Sequence, residues 1–237
     1  IPFISAIYPN DEGITANPFL IIVNSTLKAH CEAIYTYLLQ TQSQSNIILC
    51  RKPGAQEDIV ENYFKQLNRP DGKPLLNLKF VNITGDYAKI NSYIDSTKNN
   101  IVVGASLNKD FIGKVVTQTA LLNKTIPITL IGMPNWDGFT SLTKRKEFKD
   151  FPVYYTTPYV NDESNKYAKM IRKLYIQKYS AAPSDMVYRG FESVYIFSRL
   201  LSRHPNDFIN HLNEYAYKIF SEYNLKPIFS LMCQVNR

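Results

Sequence analysis

Four short apolar runs begin near residues 46, 76, 101 and 127, and each is followed by a stretch with different, mostly helical spacing. They read NIILC (46–50), LNLKFVNI (76–83), IVVG (101–104) and PITLIG (127–132). Between them lie a segment led by Glu57 and Asp58 with Ile59, Tyr63, Phe64 and Leu67, one opened by Asp86 with Ile90, Tyr93 and Ile94, and one through Phe111, Ile112, Val115, Val116 and Leu121-Leu122. Strands that recur roughly every 25 to 30 residues with a helix between each pair are the mark of successive βαβ units. The expected fold class is therefore α/β: a doubly wound, Rossmann-like parallel sheet with right-handed crossovers and helices on both faces.

The flanks differ. Ile1 to Ile7 (IPFISAI) reads as a strand ending in the turn Tyr8-Pro9-Asn10, and a strand at residue 1 needs neighbours, so natural sequence is expected before Ile1. A second extended run, Asn17 to Val23, leads to Ser25 or Thr26 as the cap of a helix with Leu27, Ala29, Cys31, Ile34, Leu38 and Leu39, which the polar stretch 40–45 ends. Pro152 to Val160 is pinned by prolines, as a connector or edge strand would be. Beyond it the spacing predicts a helix from Asn161 or Asp162 that buries Tyr167, Ile171, Leu174 and Tyr175. Another starts at Ser184 or Asp185, buries Val187, Phe191, Val194, Tyr195 and Leu201, and breaks at His204-Pro205. A weaker helix is expected over 208–220 and a last strand over 225–231.

A hydrophobic share of 45% with 20% charged residues fits a packed core rather than disorder. No apolar stretch reaches the roughly 18 to 20 residues of a membrane-spanning helix. The net charge of +7 permits an acidic partner, but its densest cluster, Lys144-Arg145-Lys146, is interleaved with Glu147 and Asp150 and reads as a solvated face; no specific nucleic-acid binding is expected. Cys31, Cys50 and Cys233 are too far apart for a C-x-x-C metal site, and whether two of them pair is left open.

No G-x-S-x-G elbow, G-x-G-x-x-G fingerprint, phosphate loop or H-E-x-x-H motif occurs. His204 and His211 read as surface residues, and His30 beside Cys31 points elsewhere on a helix, so neither catalysis, nor a metal, nor a cofactor is expected. In open parallel sheets, ligands sit at the C-terminal ends of the strands. That edge offers Arg51 or Lys52 as a charge, Ser106 and Asn108 as hydrogen-bonding groups, Asn135, and Trp136 as a stacking or lid surface.

The order IPFISA, NPFLIIVNST, repeated βα units, FPVYYTTPYV and KYAKMIRKLYIQKYSAAPSDMVYRGFESVYIFSRLL resembles the type I periplasmic binding proteins, in particular their branched-chain amino-acid-binding branch. Tyr175, Tyr179, Pro183 and Gly190-Phe191-Glu192 carry the resemblance most closely, with the opening Ile-Pro-x-Ile-Ser second. It implies two α/β lobes joined by three crossovers, with one near-complete lobe here and part of another. Residues 1–9 and 158–224 would form the partial first lobe, and residues 10–157 with 225–237 the second. Ser5 and Ala6 would line a ligand cleft. The implied function is a non-catalytic solute-binding or sensing module of the periplasm or cell envelope. Its ligand would be an amino acid, a peptide or a cell-wall fragment, and its partner a membrane transporter or sensor. Arg51-Lys52-Pro53-Gly54 stands where amino-acid binders place an aromatic Tyr-Gly. The alternative is a scaffold of the cell envelope that keeps the fold without a small-molecule site, joined to a peptidoglycan-binding module.

Overall fold

The computed structural model describes residues 2–6, 17, 19–134, 136, 151–158, 164–221 and 223–225. They fall into two compact units, one of residues 1–26 with 158–237 and one of residues 27–157.

The second unit holds a five-stranded parallel sheet. Its elements are α1 (Leu27–Thr41), β3 (Asn46–Arg51), α2 (Ala55–Asn68), β4 (Leu78–Asn82), a 3-10 helix (Tyr87–Tyr93), β5 (Asn100–Gly104), α3 (Lys109–Leu122), β6 (Ile128–Gly132) and β7 (Val153–Tyr155). The spatial order is β4-β3-β5-β6-β7, with every neighbouring pair parallel. All residues of β3 and β5 are buried, as near-continuous apolar runs covered on both faces should be. Cys31, Ile34 and Leu38 of α1, Val60 and Phe64 of α2, and Ile112, Val115 and Val116 of α3 supply the covering layers. Each fully buried Ile, Leu or Val here contributes on the order of 1.5 to 3 kcal/mol. Two asparagines that start neighbouring strands are buried because they are hydrogen-bonded: Asn46 Nδ2 donates to Asn100 Oδ1 at 2.8 Å, and Asn100 Nδ2 to the carbonyls of Asp95 and Lys98.

Two local expectations change. Ile59 is exposed, and the inward stripe of α2 runs through Glu57, Val60, Phe64 and Asn68. Asp86 does cap a helix, its side chain accepting from Ala88 N, but the segment is the tighter 3-10 form. The edge strand β7 confirms the extended reading of residues 153–155.

In the first unit, β1 (Phe3–Ser5) and β2 (Leu20–Ile22) form a parallel pair. The two long helices of this unit are α4 (Lys166–Tyr179) and α5 (Asp185–Arg203), followed by 3-10 turns at Phe208–His211 and Tyr215–Tyr217. Ile21, Val23, Ile196, Phe197, Leu200 and Phe208 form one core cluster, and Ala168, Ile171 and Tyr188 another. Because β2 pairs with β1, residues 20–26 group with this unit, whereas the expected division put residues 10–157, with 225–237, in the other.

Helix α4 begins after Asn165, whose side chain accepts from Tyr167 N, not at residue 161 or 162, and Leu174 is exposed. On α5, Val194 and Leu201 face outward, and the buried stripe is Tyr188, Arg189, Glu192, Ser193, Ile196, Phe197 and Leu200. The expected helix over 208–220 is instead two short 3-10 turns. The strand expected over 225–231 lies outside the described residues but for Leu225.

Candidate functional site

Strands β4 and β5 leave β3 in opposite directions, so the chain reverses its winding between β3 and β5. At such a switch point the loops after the two strands diverge and leave a crevice at the carboxyl edge. The loop after β3 carries Lys52 to Gly54, and the loop after β5 carries Ala105 to Asn108.

Glu57 and Ser106 meet there. Ser106, 1% exposed, donates through Oγ to Glu57 Oε1 at 2.6 Å, and the same hydroxyl accepts from Asn108 N at 3.1 Å. Glu57, 3% exposed, sits in the first turn of α2, where the unpaired N–H groups and helix dipole favour a negative charge. Its Oε1 lies 3.7 Å from Lys52 Nζ. Gly54 is what allows this fit, since a Cβ there would lie 2.5 Å from Glu57 Oε2. The result is a buried carboxylate at the switch point, bracketed by an ammonium and a hydroxyl. Asn108 is exposed and caps α3, its Oδ1 accepting from Phe111 N at 2.9 Å.

Arg51 does not join this group. It is buried, with Nη2 2.5 Å from Asp58 Oδ1 and Nη1 bonded to Glu61, which Lys65 also holds at 2.5 Å. Burial alone would lower the Arg51 pKa, but the hydrogen bonds and charges of Asp58 and Glu61 outweigh it and raise it. The guanidinium is thus committed to pinning α2 against the end of β3.

Trp136 is not a lid. It is 1% exposed, and its indole lies against the backbones of Gly104 and Gly132, where a Cβ would approach ring atoms to 2.5 Å and 2.1 Å respectively. It fills the core of the sheet's upper end. Asn135 lies outside the described residues. Ser5 and Ala6, both partly buried, sit at the end of β1 in the other unit, and Ser5 O accepts from Val23 N at 2.9 Å.

Of the residues expected from sequence, the structure therefore brings Ser106 and Asn108 together at the switch point, with Lys52 nearby. Sequence reasoning gives Glu57 only as the leader of a helix, because an acidic group in a first helical turn is so common, and the structure adds it to this polar group. Its signal was its place directly after a strand-Gly loop.

Nucleophilic chemistry finds little support at His30-Cys31. Both are buried on α1, burial pushes the Cys31 thiol up to about 12, with the Glu32 charge adding to it, and His30 is lowered by desolvation. A catalytic pair needs the thiol shifted the opposite way.

The chain has the fold of the type I periplasmic binding proteins. It is similar to the branched-chain amino acid transporter substrate-binding protein LivJ from Streptococcus pneumoniae, solved with isoleucine, at 16% identity and a TM-score of 0.55, over 90% of this chain and 61% of that one. The leucine-binding protein LivK from Thermotoga maritima aligns at 14% identity and a TM-score of 0.54, over 92% of this chain and 65% of that one. An extracellular ligand-binding receptor from Verminephrobacter eiseniae aligns at 13% identity and a TM-score of 0.54, over 84% and 58%. The chain thus spans about three fifths of the length of these neighbours. No family model matches the sequence, and no curated protein matches it. No helix among the described residues is long and apolar enough to cross a membrane.

Proposed function

We propose that this protein is a non-catalytic solute-binding or sensing module of the periplasm or cell envelope. The observation that carries the reading is the polar group Lys52, Glu57, Ser106 and Asn108 at the switch point of a sheet whose fold is that of the type I periplasmic binding proteins. The fold neighbours, a branched-chain amino acid transporter substrate-binding protein and a leucine-binding protein, support a solute of amino-acid size. The partly exposed Lys52 ammonium beside the exposed Asn108 suits a solute that carries a carboxylate, such as an amino acid, a short peptide or a cell-wall peptide. Ser5 and Ala6 stay in the proposed ligand set on the strength of the family resemblance alone. A membrane transporter or sensor is the proposed partner.

The test is a thermal-shift screen against amino acids, dipeptides and cell-wall peptides. A solute present at about 100 times its Kd should add about 2.7 kcal/mol to stability. The expected result is a shift from one class that Lys52→Ala and Asn108→Ala both reduce. Folded protein that responds to none of the three classes would overturn the reading. That outcome would favour the envelope scaffold, which draws no support from the fold neighbours.

A further inference from the structure

Two histidines that are seven residues apart in sequence lie face to face in the first unit. The His204 and His211 rings are stacked with centroids 3.5 Å apart and planes within 8°. His204 ends α5, where Pro205 forbids continuation, and His211 ends the 3-10 turn that Phe208 anchors in the core at 6% exposure. The turn is fastened from the other side as well: the Asn213 side chain donates to Leu225 O at 2.9 Å and accepts from Leu225 N at 2.7 Å.

Two carboxylates complete the cluster. Glu214 Oε1 hydrogen-bonds His211 Nδ1 at 2.7 Å and lies 3.0 Å from His204 Nε2 without bonding it. Asp207 Oδ2 lies 3.1 Å from the remaining nitrogen of His211, Nε2. One ligand atom each from His204, Asp207 and His211 lie within 4.8 Å of one another. Tetrahedral bonds of about 2.0 to 2.2 Å would put donors roughly 3.3 to 3.5 Å apart, so closure needs side-chain movements of about an ångström. An ion must also lie near the plane of each imidazole, so the rings must turn out of their stack. Side-chain exposures of 18% for His204 and 30% for His211 leave room for that turn.

We propose that His204, Asp207 and His211 form a binding site for a divalent transition-metal ion of the Zn2+ class. Glu214 holds the His211 ring from behind through its other nitrogen, Nδ1, the arrangement that commonly fixes the tautomer of metal-ligating histidines. Two imidazoles favour Zn2+, Co2+, Ni2+ or Cu2+ over Mg2+ and Ca2+, which prefer all-oxygen sets. Two carboxylates match the ion's double charge. This site belongs to the first unit and is independent of the proposed solute site.

The experiment uses the whole chain, dialysed against EDTA and then titrated with Zn2+ by calorimetry and with Co2+ by visible absorption. Binding of one ion per chain is expected, with the d–d absorption of four-coordinate Co2+ and no response to Mg2+ at the same concentration. His204→Asn and His211→Asn should each weaken binding by more than about 100-fold. Glu214→Gln should weaken it by about 10- to 100-fold, the usual effect of an outer partner. Absence of Zn2+ binding to the wild-type chain would overturn the proposal, and that readout depends on no variant. Binding that survives both histidine substitutions, or an equal response to Mg2+, would overturn it too.

Discussion

Arg189 and Glu192, one turn apart on α5, are both buried, at 4% and 1% exposure, with Nη1 and Oε2 3.7 Å apart. Glu192 accepts from the backbone N–H groups of Phe220 and Ser221 at 2.8 and 2.7 Å, and from the hydroxyls of Ser221 and Tyr223 at 3.0 and 2.5 Å. Arg189 donates to Tyr223 OH and to Pro158 O. Six residues from three separate parts of the first unit, the ion pair included, are thereby tied together. Burial pushes the Tyr223 hydroxyl up in pKa, and its bond to Glu192 adds to this, so it stays a donor.

Removing one member of this pair leaves the other buried and uncompensated, which costs about 3 to 5 kcal/mol. Glu192→Ala is expected to lower unfolding free energy by that amount, and Arg189→Met with Glu192→Leu together by less than the sum of the two single changes. Urea unfolding of the single and double variants checks the difference.

This pair also explains where the sequence misled. Apolar periodicity put Val194 and Leu201 inside α5, yet Val194 is 71% exposed. The inward stripe runs instead through Arg189, Glu192 and Ser193, which read as surface residues until their partners near residues 158 and 220–223 are known. The strands of the second unit were legible because β3 and β5 are buried on both faces and so are almost wholly apolar. At the site, Ser106 and Asn108 were legible from their place after β5. Arg51 and Trp136 were not, because their role depends on Asp58, Glu61, Gly104 and Gly132, none of which adjoins them in sequence.

Ser106→Ala removes a hydrogen bond to the buried Glu57 carboxylate. A loss of about 1.5 to 3 kcal/mol is expected, as for other bonds to charged groups. Glu57→Gln with Ser106→Ala should lose less than the sum of the two single changes, which a double-mutant cycle by denaturant unfolding will show.

His30 is 6% exposed, and desolvation lowers its pKa in the folded protein. The unfolded chain then binds a proton that the folded chain does not, between the ordinary value near 6.5 and the lowered one. Stability contributed by neutral His30 is complete above that window and declines as pH falls through it. The His30→Gln variant should show a shallower fall in stability below about pH 6.5 than the wild type, measured by thermal melts across the pH range.

Cys31 and Cys50 are free thiols, and burial pushes both up to about 12. At pH 8 almost no thiolate is present, so neither should react with iodoacetamide while the protein is folded. In a Cys233→Ser background, mass spectrometry should find both unmodified before denaturation and both alkylated after it.

Trp136 is the chain's single tryptophan, and it is wedged against the glycines that end β5 and β6. Nature has therefore placed one optical gauge in the molecule, and it reads only the unit of residues 27–157. Fluorescence melts will follow that unit while far-ultraviolet circular dichroism sums over both. A gap between the two curves would measure how far one half of the chain can come apart while the other stays whole.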